Sequence, residues 1–392
     1  MLEPADMSPV VVVGPRGEER LRRGHLWVYR SDVVEARAAG GDVVRVLNTR
    51  GRPLAHALYS DRSEIAVRAV SRGDEPPDEA FWHRRLERAL AYRTALDIDA
   101  TAYRLVHGEG DLLPSLVVDR YGDYLVLQAL SQGMERLTPL FVAALVERLR
   151  PAGILARNDA KVRRLEGLEQ KVELLHGEVP ERVEVREGAI RVLADLWRGQ
   201  KTGLFLDQRE NRAAAARYAH GRLLDAFCYQ GGFALALAAR CASVVALDIS
   251  EPAIAEVRVN AERNGIALEA RVANAFDALR DYERGGERFD TIVLDPPAFA
   301  KSRTAVAKAA AGYKEINLRA MKLLAPGGVL VTCSCSYHVS EPMFAAIVQE
   351  AAGDARAVMV VVERRTQARD HPVLVGVPET AYLKCLILRR IV

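Results

Sequence analysis

Arg222-Leu223-Leu224-Asp225-Ala226-Phe227-Cys228-Tyr229-Gln230-Gly231-Gly232-Phe233 opens the part of the chain where strands and helices alternate. A short apolar run ends in an acid, two glycines follow, and Phe233–Arg240 reads as a helix. Ser243–Leu247 is the next strand and ends at Asp248. Helix Glu251–Asn264, strands near Leu268–Val272 and Phe289–Leu294, and helix Ala305–Leu324 continue the pattern. Strand Gly328–Cys333, helix Glu341–Ala351 and the apolar strands Ala357–Val362 and Tyr382–Leu388 complete it. Such alternation predicts a mostly parallel, doubly wound sheet with helices on both faces. A short link between the last two strands is expected to make one antiparallel edge.

Two further zones lie upstream. In residues 1–73, β-type runs (Val10–Val13, Val43–Leu47, Leu54–Leu58, Ile65–Val70) alternate with Gly, Asn and Asp turns, as in a small barrel. Gly73-Asp74-Glu75-Pro76-Pro77 reads as a linker, because paired prolines after charged residues stiffen and expose the backbone. Residues 74–186 read as a central α+β domain. It has a helix from Asp78 to Leu96, a hairpin turning at Arg120-Tyr121-Gly122-Asp123, and a helix from about Met134 to Leu149. Ile154–Arg157 and the basic Lys161-Val162-Arg163-Arg164 follow. A hairpin at Val183–Leu196 leads into the third zone, residues 187–392.

At 392 residues the chain is expected to hold two or three domains. A 49% apolar composition and a mean hydropathy near zero describe a soluble globular balance. No apolar run approaches the roughly 20 residues of a membrane helix. The first residues carry Glu3 and Asp6 and lack the features of a signal peptide, so a cytoplasmic location is expected. Five cysteines in the C-terminal half do not make a disulfide framework and leave thiols available. Net charge is only +3, and residues 1–73 hold twelve Arg, no Lys and nine acids, so that surplus lies there. Arg16, Arg20, Arg22, Arg23 and Arg30 cluster with His25, Trp27 and Tyr29, types that pair with phosphate and stack on bases. A solvated basic turn around a small core is the plainer account of the same residues.

The Asp225–Phe233 turn lacks the Gly-x-Gly-x-x-Gly spacing that brings a pyrophosphate to a helix N-terminus. An acid at the strand end, with Phe227, Tyr229 and Gly231 in the turn, better suits the amino-acid end of S-adenosylmethionine, whose ammonium favours Asp225. Asp248 is placed for paired hydrogen bonds to ribose hydroxyls, and Asn274 or Asp277 for the adenine amino group, although a residue there also caps a helix. Gln200–Arg212, containing Asp207, Gln208 and Arg209, has the polar, Gly-containing character of a cofactor lid, or equally of an exposed helix start.

Thr332-Cys333-Ser334-Cys335-Ser336 ends one strand and Asp295-Pro296-Pro297-Ala298-Phe299 ends another, where open α/β sheets hold their ligands. A thiolate adding to C6 of cytosine makes C5 enamine-like, and C5 then attacks a sulfonium methyl. Cys335 is the expected nucleophile and Asp295 the carboxylate near N3. Pro296, Pro297 and Phe299 would wall and stack the extracted base. Residues two apart in a strand point the same way, so Cys333 also competes for the site. Cys333, Cys335 and His338 as metal ligands is a weaker alternative, since no second Cys pair completes a tetrahedron.

These residues resemble the bacterial 23S rRNA cytosine-5 methyltransferases that join an N-terminal PUA domain to a Rossmann-like, class I methyltransferase domain. The match spans essentially the whole chain. Gly24-His25-Leu26-Trp27-Val28-Tyr29 looks like the opening of the PUA domain, and a small β-α-β domain fits the centre. Lys201-Thr202-Gly203, Asp207-Gln208-Arg209, Asn211-Arg212, Asp225–Phe233 and Asp295–Phe299 look like its cofactor and substrate motifs. The resemblance implies S-adenosylmethionine as donor, 23S rRNA or a large-subunit assembly intermediate as partner, and Cys335 as nucleophile. Arg22, Arg23 and His25 are the expected RNA contacts, no membrane is involved, and a homodimer is left open. Ala298 stands where many RNA cytosine-5 methyltransferases carry a second Cys, so the base that removes the C5 proton is unassigned. Guanine N7 methylation and a non-catalytic RNA-binding assembly role are the alternatives.

Overall fold

A computed structural model describes residues 9–72, 76–300 and 302–392. Most of the first nine residues and the Gly73-Asp74-Glu75 part of the expected linker lie outside them. Two compact units form. Of the described residues, one comprises those up to Val185 with Ala194–Leu206 and Arg369–Thr380; the other comprises those of Arg186–Leu193, Asp207–Ala368 and Ala381–Val392.

In the first unit β1 (Val10–Val13), β2 (Trp27–Tyr29), β3 (Val33–Arg37), β4 (Val43–Asn48), β5 (Pro53–Tyr59) and β6 (Ile65–Arg72) form a sheet in the order β2-β6-β5-β4-β1-β3. Bulges interrupt every pairing except the parallel β1–β4 pair, and each adds local twist, so the sheet curls around Val11, Val13, Val28, Val46 and Val67. Three arginines of the cluster, Arg16, Arg20 and Arg22, lie on a helix and not on a turn: α1 (Pro15–Arg22), with Pro15 at its N-terminus and Leu21 buried; Arg23 follows its end and Arg30 follows β2. Five further strands are β7 (Ala102–His107), β8 (Leu116–Tyr121), β9 (Tyr124–Ala129), β10 (Gly153–Asn158) and β11 (Lys171–Gly177), ordered β11-β10-β9-β8-β7. Helices α2 (Glu79–Ala95) and α3 (Gln132–Leu149), capped by Asp78 and Ser131, bury Trp82, Leu86, Phe141 and Leu145 in this layer's core. β9, α3 and the parallel β10 are the expected β-α-β unit. The hairpin β12 (Arg182–Glu187) and β13 (Ile190–Asp195) turns at Gly188, which has φ +55°.

The second unit carries β14 (Arg222–Asp225), β15 (Ser243–Asp248), β16 (Glu269–Val272), β17 (Phe289–Leu294), β18 (Leu324–Ser334), β19 (Met359–Arg365) and β20 (Lys384–Arg390). Its sheet order is β16-β15-β14-β17-β18-β20-β19. The first five strands are parallel, and β20 is antiparallel to both β18 and β19. The antiparallel strand is therefore inside the sheet and not its edge. Residues 366–383 separate β19 from β20, room enough for the chain to pass over the edge strand and return between it and β18.

Alternate strand residues bury two opposite faces. Leu224, Leu247, Ile292 and Leu330 meet α7 (Ala275–Arg284), α8 (Val306–Leu323) and α9 (Glu341–Ala355). Leu223, Val244, Val293, Val331 and Cys333 meet α4 (Arg209–Ala216), α5 (Gly232–Ala238) and α6 (Glu251–Arg263). Strand order reverses between β14 and β17, and a crevice at such a switch point is where open α/β sheets bind ligands.

Candidate active site

Four carboxyl-terminal strand ends supply the chemistry: Asp225 on β14, Asp248 on β15, Asp295 after β17 and Cys335 after β18. Asp225 is buried; its Oδ2 accepts from the Ala234 backbone N–H at 2.9 Å, and its buried Oδ1 has no hydrogen-bond partner. Burial first, and the carboxylates Asp295 and Asp248 in addition, push its pKa up to about 8 against the pull of the Ala234 and Phe227 backbone N–H groups. A buried acid with one oxygen open is a place prepared for a cation. The turn above it requires φ +48° at Tyr229 and +85° at Gly231, the second natural for glycine. A Cβ on Gly232 would stand 3.2 Å from the Arg212 guanidinium, so a larger residue crowds this turn.

Asp248 accepts from the backbone N–H groups of Tyr229 and Ser250, both at 2.9 Å. It thus ties the glycine turn to the start of α6, and an ionised carboxylate still has lone pairs for ribose hydroxyls. Asn274 is the N-cap of α7, accepting from Phe276 N–H at 2.9 Å. Asp277 is not a cap: it lies in the first turn, 3.7 Å from Arg280.

The polar segment at α4 is not an exposed helix start, because Asp207, Gln208, Arg209, Asn211 and Arg212 are all buried. Gln208 donates from Nε2 to Asp295 Oδ1 at 2.9 Å and accepts from Asn211 Nδ2 at 2.7 Å. Asp207 accepts from the Tyr382 hydroxyl at 2.7 Å, and Arg212 donates to Glu187 at 2.7 Å. The segment therefore fixes the orientation of Asp295 from beneath.

Cys333 and Cys335 do not share an environment. Cys333 is sealed in the face packed by α4, α5 and α6, opposite Cys385 in register, and the Cys385 thiol together with burial pushes its pKa well up. Cys335 is one residue beyond β18 and half-buried, with Sγ 3.9 Å from the Pro296 carbonyl of the Asp-Pro-Pro loop. The two thiols meet different neighbours, and β18 ends at Ser334, between Cys333 and Cys335. Among the described residues no metal-binding group of three or more His, Cys, Asp or Glu is gathered, so Cys333, Cys335 and His338 do not form one.

Tyr313 of α8 stands behind the thiol loop. Its hydroxyl meets Ser336 Oγ at 2.9 Å and Ser334 Oγ at 3.0 Å, and Ser336 Oγ accepts from Ala300 N–H at 3.1 Å. This network joins the residues flanking Cys335 to the end of the Asp-Pro-Pro-Ala-Phe loop. Phe299 packs against Tyr313 with ring centroids 4.7 Å apart and tilted by 42°, and lies 5.9 Å from Phe276, half-buried, while Pro297 is exposed.

Residues 104–389 match the family model described as an S-adenosylmethionine-dependent methyltransferase, and residues 11–72 match a PUA-like domain. Ribosomal RNA large subunit methyltransferase I of Tolumonas auensis is 41% identical over 98% of this chain and 100% of its own length. The protein of the same name from Vibrio cholerae is 39% identical over 96% of this chain and 98% of its own. The chain belongs to the ribosomal RNA large subunit methyltransferase I family of S-adenosylmethionine-dependent methyltransferases. A methyltransferase solved in complex with SAH has the same fold, with a TM-score of 0.84 at 21% identity, covering 97% of this chain and 99% of that one. An S-adenosylmethionine-dependent methyltransferase from Streptococcus mutans superposes with a TM-score of 0.82 at 20% identity, covering 97% of this chain and 99% of that one. S-adenosylmethionine is thus the cofactor of this methyltransferase family, and the open oxygen of Asp225 fits its ammonium.

The expected RNA contacts belong to the other unit. Arg22 and Arg23 are exposed on and just after α1 and pair with Glu18 and Glu19, each at 2.6 Å. His25 is largely enclosed: Nε2 lies 2.9 Å from Glu379, and Nδ1 accepts from Trp27 N–H at 2.9 Å. Thr202 of the Lys-Thr-Gly motif is also in that unit, donating to Asp119 at 2.6 Å.

Sequence reading missed Tyr313, Tyr382 and Lys384. A lysine inside the apolar run Tyr382–Leu388 was the available signal for Lys384, because an unpaired lysine is almost never buried without a reason. Nothing in the α8 sequence marks Tyr313 apart from its place on the helix's buried stripe.

Proposed function

We propose that this methyltransferase transfers a methyl group to C5 of a cytosine in 23S rRNA through a covalent bond between Cys335 and ring C6. The observation that carries this reading is the contrast between the two neighbouring thiols: Cys335 opens beside the Asp-Pro-Pro loop, whereas Cys333 is sealed against Cys385. Guanine methylation has no use for such a thiol.

The bound donor supplies an electrophilic methyl on its sulfonium. Asp225 holds the donor's ammonium, Asp248 its ribose, and Asn274, with Phe227, the adenine side of the crevice. Tyr229, Gly231, Asp207 and Arg209 shape the pocket around these groups. Gln208 holds Asp295 where its carboxyl meets N3 of the base, and Pro296, Pro297 and Phe299 wall the extracted ring. Cys335 adds to C6, C5 takes the methyl, and loss of the C5 proton expels the thiol.

Within this reading residues 1–73 grip RNA through Arg22, Arg23 and His25, residues 74–186 form the central domain, and residues 187–392 carry the reaction. The substrate is 23S rRNA, free or in a large-subunit assembly intermediate, in the cytoplasm. Among the described residues no helix is long and apolar enough to cross a membrane. A homodimer is one candidate form in solution, and light scattering reads its mass.

Nucleoside mass spectrometry of 23S and 16S rRNA from a deletion strain and its parent tests the reaction. Loss of one 5-methylcytosine from 23S rRNA is expected. Loss of a methylguanosine instead, with 5-methylcytosine unchanged, overturns the proposed chemistry.

A further inference from the structure

The reaction as proposed leaves the thiol proton without a destination, and the structure offers one in β20. Lys384 stands opposite Ser334 in the antiparallel β18–β20 register, so its side chain leaves the sheet on the face that Tyr313 covers. It is buried, and Nζ donates to the Ser336 carbonyl at 2.7 Å and to the Tyr382 carbonyl at 2.9 Å. Ser336 is the residue after Cys335, so the amine is tied to the backbone of the nucleophile's own loop. An ammonium has three N–H groups; two are used by these carbonyls, and Lys384 pairs with no carboxylate among the described residues. The third position carries either a proton or, in the neutral amine, a lone pair.

We infer that Lys384 is the proton partner of Cys335, an inference that rests on the covalent reading above. As sulfur adds to C6, the S–H electron pair forms the S–C bond and the S–H proton moves to the Nζ lone pair. The π electrons of C5=C6 pass to C5, which bonds the methyl as the pair of the donor's S–CH3 bond returns to its sulfur. When the C5 proton is lost to a solvent base, its electron pair re-forms C5=C6. The S–C pair returns to sulfur, which recovers the proton from Nζ. Burial draws the Lys384 pKa down to about 8, with the Cys335 thiolate pulling the other way, so both protonation states are accessible near neutrality.

Other titratable groups face the same loop. Tyr313 of α8 has its pKa raised by burial and stays a neutral donor; Cys333 is likewise held as a thiol. Asp295, on the adjacent loop, disfavours a thiolate. Among these groups Lys384 alone favours it.

The test is the pH dependence of Cys335 alkylation by iodoacetamide, read by peptide mass spectrometry on the full chain with S-adenosylmethionine and no RNA. In the unaltered enzyme the midpoint should lie below the ordinary thiol value of about 8.5. Lys384→Met should raise it by about one unit, slowing alkylation at pH 7 roughly 10-fold. Lys384→Arg should keep the low midpoint, since the charge stays, yet lose turnover, since arginine does not surrender its proton. An unshifted midpoint in K384M, or full turnover in K384R, overturns the inference. If K384M does not fold, a midpoint above about 8.5 in the unaltered enzyme does so by itself. Because no RNA is present, shifted midpoints with no 5-methylcytosine in the rRNA analysis would retain the proton pair and reject the cytosine reading.

Discussion

Replacing Asp225 with Asn is expected to strengthen the empty protein and weaken its grip on S-adenosylmethionine, two effects of opposite sign from one carboxyl. The pKa of about 8 in the fold compares with about 3.9 in an unfolded chain. Asp225 therefore takes up a proton on folding between those values, and its cost grows as pH rises through that window and is complete above it. At pH 7 the difference is about three units, or an upper limit of roughly 4 kcal/mol. The substituted amide would escape that cost and can still accept from Ala234, but its new N–H group enters the place where Oδ1 has no partner. Leaving that donor unsatisfied costs about 1–3 kcal/mol. A net gain of roughly 1–3 kcal/mol at pH 7 remains; it should vanish between about pH 4.5 and 6 and become a net loss near pH 4, where the carboxyl costs little and the amide's unsatisfied N–H remains. Loss of a charged hydrogen bond to the ammonium, about 1.5–3 kcal/mol, weakens S-adenosylmethionine binding roughly 10- to 100-fold. Thermal unfolding with and without ligand reads the first effect, at the transition that the ligand shifts. Titration calorimetry in buffers of different ionisation enthalpy reads the second, and should register proton release on binding by the unaltered enzyme at pH 7. Equal affinity in D225N, or no proton release, would refute the reasoning.

Three further outcomes follow from the site. Cys335→Ala should lower turnover by several orders of magnitude with S-adenosylmethionine affinity unchanged, whereas Cys333→Ala should keep turnover within a few fold and cost about 1 kcal/mol of stability; the reverse pattern, read by methyl transfer to rRNA, would exchange their roles. Tyr313→Phe removes the hydroxyl that joins Ser334 and Ser336, and should lower kcat roughly 10-fold, about 1–2 kcal/mol, without moving ligand affinity; equal kcat would show that the network does not position Cys335. Changing Arg20, Arg22 and Arg23 to Ala should flatten the slope of log affinity for rRNA against log salt by about 0.7 for each single-strand phosphate no longer neutralised, and an unchanged slope would remove α1 from the RNA surface.

The parts of this protein legible in its sequence are those set by local patterning. Strand-helix alternation from Leu223 onward, an acid at or just after the ends of β14, β15 and β17, and glycines after the first strand are one-dimensional signals. Each has a local physical cause in side-chain periodicity, capping or backbone freedom. Asp225, Asp248, Asp295 and Cys335 could be proposed from them because each stands at or just beyond the carboxyl end of a strand, where open α/β sheets bind their ligands.

Elements lacking apolar periodicity escaped. Helix α1 buries little beyond Gly17 and Leu21, and β7 carries Arg104 and His107, tolerated because Arg104 is neutralised by Asp119 on the neighbouring strand at 2.8 Å. Strand insertion escaped as well, since no local feature of residues 384–390 states that they run antiparallel between β18 and β19. That insertion covers Cys333 and delivers Lys384. It sets Cys385 opposite Cys333 and Lys384 opposite Ser334, across a sequence distance of about fifty residues that local patterning does not span. Which cysteine reacts, and what takes its proton, depends on that long-range pairing, because burial and register belong to the folded sheet and not to either segment alone.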